Sequence, residues 1–263
     1  MTPVLVSSRK PFDGIRKVVI FNWPLYLASI SLLLVLLLLG LILEGLIGNI
    51  CLLLCALLFL QLFSSLLAVE WAYDRSDLYT WNWLTTVLLE SPEPQHIATV
   101  NAGFDEVSQD LQKIFPTSDI QALDFYDSDK NTEPSIARAR KLYPAPNAAT
   151  RITATAWRVD KKFDLIFIIF SAHEIRDQQD RVEFFKQALR HLSLMESKIV
   201  LVEHLRDIAN IAAFNIGALH FYSFATWEKT WTQAHLKLTK TFSISPFVRV
   251  MVLSSSSPRV RVD

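Results

Sequence analysis

Two long apolar runs near the N-terminus constrain this chain more than any other feature. Residues 25–43 form a run of about 19 residues and residues 50–69 one of about 20, and Leu dominates both. As helices, both are long enough to cross a hydrocarbon layer about 30 Å thick. The residues between them favour a turn: Glu44, Gly45, Gly48 and Asn49. The pattern predicts a transmembrane helical hairpin over residues 23–71.

Basic residues predict which way this hairpin faces. Four of them precede the first run and one follows the second: Arg9, Lys10, Arg16, Lys17 and Arg75. The turn has none, and basic segments stay on the cytoplasmic side of a membrane. We therefore expect a cytoplasmic N-terminal segment over residues 1–22 and a cytoplasmic-side domain at the inner membrane. A hairpin that enters one leaflet, or a cleaved signal peptide in place of the first run, are the alternatives.

Charge elsewhere in the chain is plentiful but balanced. Lys and Arg together number 26, and so do Asp and Glu, so the formal net charge is zero. A protein without excess positive charge has no long-range field that attracts nucleic acid. The chain has two cysteines, Cys51 and Cys55, and both lie in the second apolar run. The sequence therefore predicts no nucleic-acid partner, no disulfide framework and no zinc–thiolate site.

The segment after the hairpin is aromatic and amphipathic. Apolar residues recur in it at helical spacing: Leu78, Trp81, Leu84, Val87 and Leu88. We expect a helix over residues 73–90, inside a juxtamembrane segment and linker over 72–95. Its expected role is packing. The alternative role is to form one wall of a site for a lipid-borne substrate.

From residue 96 onward, strand-like runs alternate with helical patterns. Strands are predicted at 96–101, 120–126, within 150–155, 163–171 and 198–203, with helices at 106–114, 135–143 and 180–192. A helix at 227–234 and two closely joined strands at 236–244 and 246–253 follow. Such alternation is typical of a mostly parallel sheet with helices on both faces. The predicted fold class is α/β, with a Rossmann-like, mostly parallel sheet and an antiparallel C-terminal edge over 96–263, preceded by the transmembrane hairpin.

Four segments carry a resemblance to a known family. They are TVNAGFDE (99–106), ALDFYD (122–127), FDLIFIIFSAHEI (163–175) and KIVLVEH (198–204). In this order they resemble the class I S-adenosylmethionine-dependent methyltransferases, and more loosely a bacterial membrane-anchored branch of them. The resemblance implies a methyltransferase with S-adenosylmethionine as cofactor. Combined with the predicted transmembrane hairpin, the resemblance implies two partners: a hydrophobic, lipid-like small-molecule acceptor and the lipid bilayer.

The resemblance also assigns cofactor-binding residues. Ligands of open α/β sheets collect at the carboxyl ends of the strands. The small residue Gly103 after the first strand allows close approach of a cofactor, and Asp124, with Asp127 as substitute, is placed to accept the sugar hydroxyls. The remaining implied cofactor contacts lie in the same turn: Asn101, Ala102 and Asp105.

Two other functions remain open. The turn after the first strand has a single glycine, which favours a non-catalytic, methyltransferase-like binding or scaffold protein at the membrane. A nicotinamide-dependent oxidoreductase is disfavoured because no G-x-G-x-x-G follows the first strand.

Candidate catalytic residues follow the fourth and fifth strands. A histidine near its ordinary pKa suits proton removal from a methyl acceptor, so His173 is the first candidate base and His204 the second, with Glu174 beside them. Glu203, His220 and Tyr222 are predicted to contact the acceptor. Two histidines and two carboxylates also permit a metal site. Because the HE and EH pairs lack the i, i+4 spacing of helical metal motifs, no metal is expected.

Overall fold

The computed structural model describes residues 10–89, 92–130, 133–145, 149–193 and 196–257. Arg9 and Glu90, which entered the predictions above, lie outside these residues, as do all other residues before residue 10. The part of the N-terminal segment that is described contains a helix, α1 (Asp13–Phe21), which the sequence analysis did not predict. Asp74 accepts hydrogen bonds from the first backbone N–H groups of this helix, those of Gly14 (2.8 Å) and Ile15 (3.2 Å). The predicted basic segment is thus folded back onto the chain after the hairpin.

The two apolar runs form the predicted pair of helices, α2 (Trp23–Ile42) and α3 (Gly45–Val69). Both are long and apolar enough to cross a membrane. The turn is shorter than predicted, because Gly48 and Asn49 lie inside α3. A Cβ atom on Gly40 would lie 2.6 Å from the Leu52 side chain, and one on Gly48 would lie 2.0 Å from the Leu43 carbonyl oxygen. These glycines therefore permit the close approach of the two helices.

The segment after α3 is not the single helix that the sequence predicted. It consists of a π-helical turn (Glu70–Arg75), a 3-10 turn (Asp77–Tyr79) and the short helix α4 (Leu84–Leu88). Trp81 interrupts the helical path with a φ of 62°. The expected packing role is confirmed, since Leu78, Trp81, Leu84 and Val87 are all buried.

One mixed sheet of seven strands organises the rest of the chain. Its strands are β1 (His96–Asn101), β2 (Asp119–Asp124), β3 (Thr150–Arg151), β4 (Leu165–Ile169), β5 (Lys198–Glu203), β6 (Leu236–Ser245) and β7 (Val248–Ser255). Their order is β3-β2-β1-β4-β5-β7-β6. The first five are parallel, whereas β7 pairs antiparallel with both β5 and β6. The predicted mostly parallel sheet with an antiparallel C-terminal edge is confirmed.

Helices cover the sheet between its strands. They are α5 (Ser108–Ile114), α6 (Pro134–Leu142), α7 (Gln178–Arg190), α8 (Ile208–Phe214) and α9 (Phe224–Gln233), with 3-10 turns at Ala172–Glu174 and Asn215–His220. On one face, Phe184 and Phe185 of α7 and Trp227 and Trp231 of α9 form a core with the sheet.

On the opposite face, the segment after α3 contributes to a second core. Ala72, Tyr79 and Trp83 pack with the sheet residues Phe167 and Val200. Burial of such large apolar side chains contributes about 1.5–3 kcal/mol each. The segment assigned to a linker is therefore part of the folded core, and it joins the hairpin directly to the sheet.

Candidate functional site

The predicted site residues converge at one edge of the sheet because parallel strands bring their carboxyl ends together. Asn101 at the end of β1 pairs in register with Asp124 at the end of β2. Glu203 ends β5, and His173 and Glu174 lie in the 3-10 turn that follows β4. These positions agree with the sequence analysis. The contacts of the side chains do not all agree with it.

The turn after β1 has the tight geometry that a glycine requires. Gly103 has a φ of 100°, and its N–H donates to Asn101 Oδ1 at 3.0 Å. Ala102 is buried beside it. The side-chain nitrogen of Asn101, Nδ2, is also buried, and it has no hydrogen-bond partner within the described part of the chain.

Asp105 has a structural role in this turn. Its Oδ1 accepts hydrogen bonds from the N–H groups of Val107 and Ser108, both at 3.1 Å. It therefore caps the start of α5. This contact occupies one oxygen of the carboxylate that was predicted to bind the cofactor.

Asp124 is sealed by protein groups. Its Oδ2 accepts from Arg140 Nη1 and Arg151 Nη1, both at 2.8 Å, and its Oδ1 accepts from the Tyr126 N–H at 2.9 Å. The residue is 0% exposed. A Cβ on Gly103 would meet Arg140 Nη1 at 2.9 Å and the Tyr126 ring at 3.0 Å. The predicted sugar carboxylate is thus engaged by two guanidinium groups, and protein side chains lie against Gly103.

A cleft of about 540 Å³ opens beside this sealed carboxylate. It lies where β2, β3 and β4 end, and this volume is within the range of small-molecule sites. The residues that line it include Asp127, Arg151, Thr153, Glu174 and Asp180. Asp127, the predicted substitute for Asp124, therefore lies in the cleft.

Carboxylates surround His173 on both sides of its ring. Its Nδ1 lies 2.7 Å from Glu203 Oε2, and its Nε2 lies 3.1 Å from Glu174 Oε1. Burial alone lowers the pKa of His173, but Glu203 and Glu174 outweigh it and raise this pKa to about 10. Burial acts in the opposite direction on the Glu174 carboxyl and raises its pKa. Hydrogen bonds from His173 and His220 outweigh this effect and lower the pKa of Glu174 to about 2.

These shifts correct the first choice of base. A histidine whose pKa is near 10 already holds its proton at neutral pH, so it cannot take another from an acceptor. Glu203, predicted to contact the acceptor, is 0% exposed and contacts His173 instead.

His204 has the opposite electrostatic environment. Burial lowers its pKa to about 4, against a weaker opposing effect of its hydrogen bond with the Phe247 carbonyl. Its Nδ1 lies 2.7 Å from that carbonyl oxygen and so carries the hydrogen, which leaves Nε2 to accept from the Tyr73 hydroxyl at 2.6 Å. Phe170 and Phe221 stack on the ring at centroid distances of 4.7 and 4.9 Å. The imidazole is thus neutral and rigidly oriented.

Sequence reasoning missed Tyr73. It lies 131 positions from His204, and its aromatic, juxtamembrane surroundings indicate only a membrane-interface residue. No local pattern in the sequence identifies it as the partner of a histidine.

The segment after β5 packs against the turn after β4. His220 Nε2 lies 3.2 Å from Glu174 Oε1. The Tyr222 hydroxyl donates to the carbonyl oxygens of Ile175 and Arg176 at 3.3 Å, and Arg181 lies 4.0 Å from the centre of the Tyr222 ring. Tyr222 therefore fastens the cover to the turn after β4.

Comparison with known proteins adds information on the fold. No family model and no curated protein matches the sequence. Among solved structures, an S-adenosylmethionine-dependent methyltransferase from Clostridium acetobutylicum ATCC 824 aligns over 77% of this chain and 100% of its own, with 11% identity and a TM-score of 0.50. The chain has the class I methyltransferase fold.

Two further solved structures with this methyltransferase fold match less closely. The N-methyltransferase NodS from Bradyrhizobium japonicum WM9 aligns over 71% of this chain and 99% of its own, with 12% identity and a TM-score of 0.47. LepI, in complex with SAH and a substrate analogue, aligns over 65% of this chain, with 16% identity and a TM-score of 0.46. The alignment spans about half of the LepI chain, 46% of its length.

The strand order separates the methyltransferase fold from the third function considered above. Doubly wound dinucleotide-binding sheets have the order 3-2-1-4-5-6. Here β7 is inserted antiparallel between β5 and β6. This strand order therefore differs from that of a dinucleotide-binding sheet, and it does not favour a nicotinamide-dependent oxidoreductase.

Proposed function

We propose that this protein is a membrane-bound S-adenosylmethionine-dependent methyltransferase that acts on a hydrophobic, lipid-like acceptor. The observation that carries the proposal is a nucleoside-sized cleft at the carboxyl ends of β2, β3 and β4 in a methyltransferase fold. When bound, the cofactor supplies a methyl group already activated on a sulfonium sulfur. The protein then has to hold donor and acceptor in line and accept a proton where the acceptor carries one.

The residues present fit such a cofactor at the cleft. The turn after β1 contains the buried donor Asn101 Nδ2, while Arg140 and Tyr126 already lie against Gly103 in the same turn. Asp127 lines the cleft and offers acceptors for the sugar hydroxyls, while Thr153 lines it from the β3 side. Asp124 supports this arrangement indirectly, because it fixes Arg151 in the wall of the cleft and Arg140 against the turn after β1.

Replacing Asp127 by alanine tests this assignment. A hydrogen bond to a charged group is worth about 1.5–3 kcal/mol, so we expect S-adenosylhomocysteine to bind about 10- to 100-fold more weakly. Calorimetry on the detergent-solubilised full chain measures the affinity. Asp129→Ala is the matched control, because it removes the same charge from the same loop at a residue outside the cleft lining. Equal affinities of the two variants would contradict the role of Asp127.

A second candidate function is a non-catalytic scaffold. The specific observation in its favour is Asp124, whose carboxylate is held by two arginines rather than presented to a ligand. The same calorimetry separates the two functions. Wild-type protein that binds no S-adenosylhomocysteine at millimolar concentration would support the scaffold and overturn the methyltransferase.

Exposed apolar surface supports the bilayer as a partner. Leu41 and Leu46 at the hairpin tip are 70% and 75% exposed. α8 lies close to α3, because Gln61 of α3 donates a hydrogen bond to the Ala213 carbonyl of α8 at 3.1 Å. Ile208 in α8 and Ile216 just after it are 86% and 78% exposed. Contiguous apolar surface of this kind marks an interaction site. The hairpin together with the α8 segment provides a surface suited to a membrane.

Cysteine labelling tests spanning and sidedness. In a chain whose two native cysteines are replaced by serine, we expect a membrane-impermeant maleimide added outside intact cells to label Glu44→Cys but not Asp77→Cys. The reason is that a spanning hairpin carries its tip to the far side, while the basic flanks remain cytoplasmic. Labelling of neither variant before lysis, and of both after it, would indicate a hairpin confined to the inner leaflet. Labelling of Asp77→Cys alone would reverse the proposed orientation.

We propose His204, with Tyr73, as the group that accepts a proton from the acceptor. The pKa of His204 lies below its ordinary value, and its buried Nε2 accepts a hydrogen bond from the Tyr73 hydroxyl, the group through which we propose that the proton passes. Glu174 and His173 hold the turn after β4 in place rather than act as the base. Tyr73 follows α3 directly, so the proton-accepting pair lies close to where a membrane-dissolved acceptor arrives.

A further inference from the structure

Three metal-ligand atoms converge on the cleft side of this sheet edge. His173, Glu174 and His220 each direct one such atom at the others, and all three atoms lie within 4.8 Å of one another. Glu174 Oε1 lies 3.1 Å from His173 Nε2 and 3.2 Å from His220 Nε2. Glu174 also lines the 540 Å³ cleft, so one of the three ligand residues belongs to its wall.

These separations match those of ligands around a small cation. Metal–nitrogen and metal–oxygen bonds of about 2.0–2.2 Å separate neighbouring ligand atoms by about 3.0–3.5 Å. Two of the three pairs already have such distances. Two imidazoles and one carboxylate form a recurrent donor set for zinc and for non-haem iron.

One outer ring nitrogen is held as it is in metal sites. A metal-binding histidine usually donates its second N–H to a carboxylate, which fixes the ring and raises its basicity. His173 Nδ1 lies 2.7 Å from Glu203 Oε2. His220 Nδ1 lies 3.1 Å from Glu133 Oε1, but it also accepts a hydrogen bond from Arg176 Nη2. Both rings direct Nε2 at Glu174.

The charge of the cluster calls for a cation. Glu133, Glu174 and Glu203 surround two imidazoles, and Glu203 is 0% exposed. A divalent ion at the point where the Nε2 atoms face Glu174 supplies positive charge there, and such compensation is what buried carboxylates require.

We propose that His173 Nε2, His220 Nε2 and Glu174 Oε1 bind a divalent first-row transition ion at the mouth of the cleft. The sequence analysis expected no metal because the His173–Glu174 and Glu203–His204 pairs that it weighed lack the i, i+4 spacing of helical metal motifs. The third ligand comes from the 3-10 turn at Asn215–His220, 46 positions from Glu174. One use, which rests on the proposed methyltransferase function, is to hold an acceptor oxygen and ease its deprotonation.

Metal titration of the full chain in detergent, after chelation and without S-adenosylmethionine, tests the proposal. We expect one equivalent of Zn²⁺ or Mn²⁺ per chain by calorimetry and elemental analysis, and little binding of Ca²⁺, which prefers more oxygen ligands. Loss of an outer carboxylate typically costs about 10- to 100-fold in affinity. We therefore expect Glu203→Gln to weaken binding by that factor and His220→Ala to weaken it at least as much.

His191→Ala is the matched control. It removes a buried histidine whose ring nitrogens face the Gln187 and Val159 carbonyls, and we expect its metal affinity to equal that of the wild type. His220 is the most exposed ligand, with 21% of its side chain accessible, so His220→Ala is expected to fold, which circular dichroism verifies. Absence of stoichiometric binding by the wild type, or equal binding by His220→Ala and wild type, would overturn the proposal. Because metal binding is measured alone, a negative result leaves the S-adenosylhomocysteine test untouched.

Discussion

Replacing Asp124 by alanine is expected to lower the free energy of unfolding by about 3 kcal/mol, the low end of the range for breaking a buried ion pair. Asp124 is 0% exposed and is held by Arg140, Arg151 and the Tyr126 N–H. The substitution leaves a cavity and removes the acceptor for all three donors. We take the low end because the Arg151 side chain is 59% exposed and can regain water.

Thermal unfolding followed by circular dichroism measures this effect. For a domain of this size, about 3 kcal/mol corresponds to a fall in Tm of about 6–12 °C. Asp119→Ala is the matched control, because it removes an aspartate from the start of the same strand where the side chain is 62% exposed. We expect it to change stability by less than about 0.5 kcal/mol.

The stability of Asp124→Ala also distinguishes two roles for this residue. A carboxylate that only gripped the cofactor sugar would lose S-adenosylhomocysteine binding on substitution while the Tm stayed that of the wild type. That combination would contradict the structural role argued here. It would also restore the assignment made from sequence.

The second large effect is expected for His204→Gln, which should reduce methyl transfer by at least about 100-fold, the usual contribution of a positioned general base. The assay follows the radiolabelled methyl group of S-adenosylmethionine into the organic phase of a membrane-lipid extract. S-adenosylhomocysteine affinity should remain that of the wild type. His191→Gln is the control, since it alters a buried histidine elsewhere and should keep full activity. Retained activity in His204→Gln would exclude His204 as the base.

The pKa of His204 predicts the pH dependence. A base acts when it is unprotonated, and burial lowers the pKa of His204 from 6.5 to about 4. Activity should therefore stay level as the pH falls from about 8 to about 5, where a histidine of ordinary pKa would already be mostly protonated. A midpoint of activity near 6.5 would indicate another base.

Stability offers a check on His204 that needs no acceptor. Its folded-state pKa lies below its unfolded value, so its contribution is complete above about 6.5 and is lost as the pH falls towards about 4. Each unit of pKa difference is worth about 1.36 kcal/mol, so the loss approaches about 3 kcal/mol. His173, Asp207 and Tyr73 face the same ring and remain in His204→Gln. The variant should therefore lose less stability than the wild type across this range.

Several features of the fold could be predicted from local patterns. β1 and β5 have the predicted bounds, because continuous runs of apolar and β-branched residues define a buried strand. The broken juxtamembrane segment could not be predicted, since helical spacing of Leu78, Trp81 and Leu84 also suits a series of short turns packed on one surface. The role of α1 was equally hidden, because it depends on Asp74 capping a helix 60 positions earlier.

By itself, the sequence determined the two apolar helices, the order of strands and helices, and the strand ends at which polar residues collect. These follow from periodicities that span a few residues and from the preference of each residue type for water or an apolar interior. The tertiary structure alone decided which of those polar residues meet: Arg140 and Arg151 with Asp124, Tyr73 with His204, and His220 with Glu174. Protonation depends on these encounters, because burial and neighbouring charges set a pKa. Two histidines that look alike in the sequence therefore have opposite pKa shifts, upward for His173 and downward for His204.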